Sequence, residues 1–199
     1  MTTSVETPSD RPVLRSLAQP VVLLAAMWVI RLADAILPGS WNRLFGVQSW
    51  HFWGLDGLIL APLLHANFWH LLSNTIPFLV FGLLIAFDGK ARFWSVTGIV
   101  AVISGAGAWL INSPGTVTVG ASGLVFGYFG YLLARAFVAP SMGHRVLYAV
   151  IGIVVGVTYG AGMIAGILFA HYGVSWQAHL FGAIGGVVAA YALRPRQDR

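Results

Sequence analysis

Apolar residues in this chain gather into six long stretches, at residues 20–37, 65–87, 93–111, 117–138, 146–171 and 177–193, with polar breaks between them. A helix needs about 20 apolar residues to cross the hydrocarbon core of a bilayer, and about 17 to 25 are tolerated. The pattern therefore predicts six membrane-spanning helices, one transmembrane domain over residues 20–193. Polar tails at 1–19 and 194–199 flank it. Four of the connections are short. The fifth, residues 38–64, is long and carries Trp41, Phe45, Trp50, Phe52 and Trp53. Aromatic rings with polar edges prefer the headgroup level, so this first loop is expected to lie partly within the outer leaflet. The first apolar stretch lacks a small-residue cleavage site and is expected to remain as a helix.

Composition sharpens this picture. Of 199 residues, 58% are hydrophobic and 9% charged, whereas soluble domains carry about 25% charged residues. The absence of cysteine excludes disulfides, thiol catalysis and thiolate metal sites. The net charge of +5 is too dispersed for a nucleic-acid surface and reads better as a topology signal. With the N-terminus in the cytoplasm, six crossings place Arg11, Arg15, Lys90, Arg92, Arg135, Arg145, Arg194, Arg196 and Arg199 inside. Only Arg43 falls outside, as the positive-inside rule requires. Both termini are then cytoplasmic, and a bacterial plasma membrane is the expected location. Arg31 and Asp34, three apart on the first helix, read as a local ion pair with Arg31 snorkelling outward.

Glycine repeats at four-residue spacing in three places: Gly123 and Gly127, Gly152, Gly156 and Gly160, and Gly182 and Gly186. Such spacing puts bare backbone on one helix face and permits close helix contacts. Two of these stripes begin beside Ser122 and His179, so close packing of the fourth and sixth helices would bring the two side chains together.

Polar groups inside the apolar stretches are few and costly, about 1 to 3 kcal/mol each. Those that suggest chemistry are His65, His70 and Asn74 in the second stretch, Ser122 within Gly120-Ala121-Ser122-Gly123 in the fourth, and His179 in the sixth. In the charge-derived topology four of these five groups share one shallow layer near the outer face. A serine hydroxyl needs a base to become a nucleophile, and neutral imidazole is the usual one. The oxyanion that follows needs donors, which backbone N–H groups, Asn or His can supply. His70 and Asn74, four apart, share a helix face. The glycines around Ser122 leave its N–H open. Each feature alone is also compatible with packing. Three histidines could instead hold a metal, but the His-Glu-x-x-His pattern is absent and Asp56 lies in the outer loop. His51, His144 and His171 lie at membrane edges and read as interfacial residues.

In combination these motifs resemble the rhomboid intramembrane serine proteases. The likeness rests on His65-x4-His70-x3-Asn74, Gly120-x-Ser122-Gly123 and Ala178-His179-x2-Gly182-x3-Gly186, in that order. It implies an all-α, six-helix rhomboid-like bundle with a membrane-embedded first loop. Ser122 would be the nucleophile and His179 the base, a dyad without a third acid. His70, Asn74 and the Ser122 backbone N–H would form the oxyanion hole. His65 would be a structural residue near the rim, and Phe126 would pack against the catalytic histidine. Gly182 and Gly186 would permit the contact between the fourth and sixth helices. Residues 172–176 would cap the site and act with the fifth helix as a lateral gate. Substrates would be single-pass transmembrane proteins cut near the outer face, in contact with membrane lipids, with no cofactor, metal or nucleic acid implied and no oligomeric state indicated. One difference is that Gly54-Leu55-Asp56-Gly57-Leu58 stands where many bacterial members carry a Trp-Arg pair. The rival reading is a catalytically silent rhomboid-like binder of transmembrane helices. A transporter would call for charged or broken helices at the midplane and an internal repeat, and the sequence has neither.

Overall fold

The computed structural model describes residues 11–37, 39–169 and 173–194. The expectations on His171, Tyr172, Arg196, Arg199 and the first ten residues fall outside the described residues. Long helices occupy all six apolar stretches: α1 (Arg11–Ile36), α4 (Phe68–Ala86), α5 (Lys90–Ile111), α6 (Ser122–Val138), α7 (Met142–Leu168) and α8 (Trp176–Ala192). Two short helices, α2 (Trp41–Phe45) and α3 (Gly57–Leu60), lie in the first loop. Four of the long helices, α1, α4, α5 and α7, are long and apolar enough to cross a membrane. The other two, α6 and α8, have 17 residues each, about 26 Å of helix.

Several helix boundaries differ from the sequence expectation, three of them informatively. Helix α1 starts at Arg11 and runs through Pro20, which the apolar pattern takes as its first residue. Pro20 packs so near α4 that a Cβ on Gly82 would lie 2.8 Å from the proline Cβ. Helix α4 starts at Phe68, so His65 lies in the loop before it. Helix α6 starts at Ser122 because Val117–Thr118 forms a strand, β2, antiparallel to β1 (Val47–Gln48). The run Val117-Thr118-Val119 contains only β-branched side chains, which favour extended backbone. The fold is therefore all-α apart from this two-strand ribbon.

The ribbon ties the first loop to the segment that leads into α6. Gly120 N–H donates to the Ala61 carbonyl at 2.9 Å and Ser49 N–H to that of Thr116 at 3.0 Å. The stretch 54–58 docks on the same ribbon. A Cβ on Gly54 would fall 2.6 Å from Gln48 N, and one on Gly57 would fall 2.4 Å from Val47 N. Asp56 caps α3 by accepting from Gly57 N–H. Glycine thus anchors this loop by close backbone approach. Trp50, Phe52 and Trp53 point outward from it.

Helices α5, α6 and α8 form the centre, and glycine sets their separation. A Cβ on Gly182 would lie 2.3 Å from the Gly123 carbonyl, and one on Gly186 would lie 1.8 Å from that of Gly127. Two of the three glycine stripes thus face each other across α6 and α8. The third does not act this way: Gly152 touches Leu133, but Gly156 and Gly160 have no neighbour within 4 Å. Helix α7 is the least buried of the four long apolar helices, so most of that stripe has no backbone to meet.

At the far end from Ser122, Arg135 is buried and bonded to Asp88 at 2.9 Å, with Tyr148 beneath its guanidinium at 4.8 Å. Arg92 donates to the Leu193 carbonyl. Arg31 and Asp34 are paired, but Arg31 does not snorkel outward. Its side chain is 13% exposed and folds over the Phe68 ring at 4.9 Å. Asp34 also accepts from Trp41 N–H. The pair joins α1, α2 and the start of α4, which is why it stays inside.

Candidate active site

Local capping places the polar side chains. Asn67 caps α4 by accepting from His70 N–H at 2.8 Å, which seats His70 in the first turn and Asn74 one turn on. Ser175 caps α8 by accepting from Ala178 N–H at 3.2 Å, which seats His179 just beyond the first turn. Ser122 is the first residue of α6, so its N–H has no helical acceptor. Three helix N-termini therefore converge, and His70, Asn74, Ser122 and His179 all line one cavity of about 1530 Å³.

His65 stands behind this cavity. It is buried, and its Nε2 accepts from Ala121 N–H at 3.3 Å. It thereby holds the residue before Ser122. The His65 and His70 rings meet edge to face at 5.2 Å. Gly120 has φ +117°, and a Cβ there would fall 2.5 Å from His70 Cε1. Backbone geometry and ring contact both exclude a side chain at that position. Asn74 donates one amide hydrogen to the His70 carbonyl at 2.8 Å and retains a second.

The His179 ring is held on two sides. Phe126 stacks on it with centroids 4.0 Å apart and planes 8° from parallel. Its Nδ1 lies 2.9 Å from the Gly166 carbonyl on α7. A carbonyl only accepts, so Nδ1 carries the hydrogen and Nε2 is left with its lone pair. Ser122 and His179 share the cavity, but no hydrogen bond joins them among the described residues. Such bonds are often long before substrate binds.

Three residues at the site escape the sequence reading. Gly166 contributes only a carbonyl, which no side-chain motif announces. Ser104 donates to the Ala178 carbonyl at 2.8 Å and packs on Gly123. Asn112 is buried and donates to Thr118 Oγ1 at 2.9 Å and to Ser175 Oγ at 3.4 Å. The run Ser104-Gly105-Ala106-Gly107 carried a usable signal, since such small residues mark a close helix contact. Of the expected cap, Val174, Ser175 and Trp176 line the cavity.

The sequence profile of the rhomboid domain matches residues 48–196. The chain belongs to the rhomboid family. A Bacillus subtilis protein named as a candidate rhomboid protease is 31% identical over 156 residues, 77% of this chain and 73% of that protein. Uncharacterised proteins of Mycobacterium tuberculosis are 42% identical over 181 residues, covering 87% of this rhomboid and 73% of their own length. The chloroplast rhomboid-like protein 11 of Arabidopsis thaliana is 30% identical over 146 residues, 68% of this rhomboid and 51% of its own length. With its long apolar helices, this rhomboid is an integral membrane protein.

Proposed function

We propose that this rhomboid is an intramembrane serine endopeptidase, with Ser122 as nucleophile and His179 as general base. One observation carries the reading: His179 is stacked on Phe126 and bonded through Nδ1, with Nε2 free, in the cavity that Ser122 also lines. In the proposed reaction the Ser122 proton passes to Nε2 as Oγ attacks the substrate carbonyl. The oxyanion is met by the Ser122 N–H, the second Asn74 amide hydrogen and the His70 ring. Collapse of the intermediate returns the proton from Nε2 to the leaving amine, and water then hydrolyses the acyl ester by the same route.

Six crossings with both termini cytoplasmic put this cavity near the outer face, and the exposed aromatics of the first loop suit the headgroup layer. Trp69, Leu72 and Ile76 on α4 and Thr158, Tyr159 and Met163 on α7 line its flanks. A single-pass transmembrane segment would reach Ser122 between these helices. Small residues at the cut and helix-breaking residues beyond it favour the unwinding that attack needs. A fluorophosphonate probe tests the dyad directly. Covalent labelling of Ser122 in wild type, lost in Ser122→Ala and His179→Ala, is expected. Absence of labelling in correctly folded wild type would favour a silent binder.

A further inference from the structure

The dyad lacks a carboxylate, so something else must fix the tautomer of His179. We propose that Gly166 is a positioning residue, its backbone carbonyl taking the part that an acid takes beside the base of a three-residue serine hydrolase. This rests on the reading of Ser122 and His179 as a dyad. The carbonyl lies 2.9 Å from Nδ1 and accepts only, so it selects the tautomer whose Nε2 can take the Ser122 proton. Gly166 lies in the last turn of α7, which ends at Leu168. Toward a helix C-terminus the carbonyls run out of helical donors, which suits one of them to accept from His179. The partial negative charge at this helix end also faces the ring that becomes cationic when Ser122 loses its proton.

Only glycine fits. A Cβ at position 166 would lie 2.7 Å from Phe126 Cζ and 3.2 Å from His179 Nδ1. A side chain there would force either α7 or the Phe126 ring to shift, and either movement disturbs the seat of the His179 ring. Nearby on α7, Gly156, Gly160 and Gly162 meet nothing within 4 Å, while Tyr159 packs edge-on to Phe81 at 5.1 Å and Met163 packs on the core. The base is thus armed only while α7 stays in place. A displacement of α7 that admits substrate would have to be reversed before the proton can move.

The test uses the full chain with ¹⁵N-labelled histidine in lipid bilayers, read by solid-state NMR, with His179→Gln identifying the His179 signals. Wild-type His179 is expected as the Nδ1–H tautomer. Gly166→Ala is expected to shift it toward Nε2–H and to lower kcat about 10- to 100-fold with KM within about twofold. Gly156→Ala serves as the control on the same helix and should change neither. An Nε2–H tautomer in a wild type that cleaves substrate would overturn the role of Gly166 and leave the protease reading intact. A wild type with Nδ1–H that cleaves nothing and resists the serine probe would overturn the dyad, and this proposal with it. Should Gly166→Ala fail to fold, the wild-type spectrum decides alone.

Discussion

Ser122 and His179 announce themselves because a hydroxyl and an imidazole are costly at membrane depth, and the geometry around them explains how they are tolerated. The imidazole is stacked on Phe126 and bonded through one nitrogen, so half of its polar character is satisfied while the other nitrogen keeps its lone pair. Phe126→Leu keeps the volume roughly but removes the flat face. It should reduce kcat about tenfold with little loss of stability, since volume-conserving apolar changes cost under about 1.5 kcal/mol. Cleavage kinetics paired with unfolding in mild detergent check this. His65→Ala should do the reverse of a purely catalytic change. It leaves the buried Ala121 N–H without its acceptor, which costs about 1–3 kcal/mol, and it loosens the backbone before Ser122. A lower unfolding midpoint together with lower activity is expected; full activity at unchanged stability would refute the structural role. Which polar side chains line the cavity was legible in the sequence. The carbonyl of Gly166 was not, because every residue offers one and only the tertiary fold selects it.

Among the elements, four-residue glycine spacing correctly marked the faces of α6 and α8, yet it misread α7. Spacing tells which residues share a face but not whether another backbone arrives there. Gly186→Ala would thrust a methyl group into the Gly127 carbonyl, 1.8 Å away. A loss of about 1–3 kcal/mol is expected, as for other overpacked cores. Gly156→Ala places the same methyl in open space and should be neutral or stabilise by up to about 1 kcal/mol, because alanine favours helix over glycine. Comparing the two unfolding midpoints separates packing glycines from idle ones. Helix starts were harder to read than helix identity. Residues 117–121 are apolar enough to join a span, but their backbone groups are spent on the ribbon, on the Ala61 carbonyl and on His65. No hydropathy window registers that competition.

Across the whole molecule the polar groups separate into two ends, with the cavity at one and the Asp88–Arg135 pair at the other. Arg135 is 3% exposed, so removing its partner strands a buried charge. Asp88→Ala should destabilise by about 3–5 kcal/mol, whereas Asp88→Ala with Arg135→Met should recover much of the loss. Failure of the double variant to recover any stability would contradict that account. The cysteine-free sequence also permits topology mapping with single introduced thiols. Gly115→Cys, between α5 and β2, should react with an impermeant maleimide from outside the cell and Gly143→Cys should not. The expected orientation comes from the Lys and Arg distribution, because insertion responds to those charges directly. The most direct test of the central claim is cleavage of a labelled single-pass substrate in proteoliposomes, with mass spectrometry locating the cut. Cleavage near the outer edge by wild type, and by neither Ser122→Ala nor His179→Ala, is the predicted result. Cleavage that survives Ser122→Ala would contradict the account.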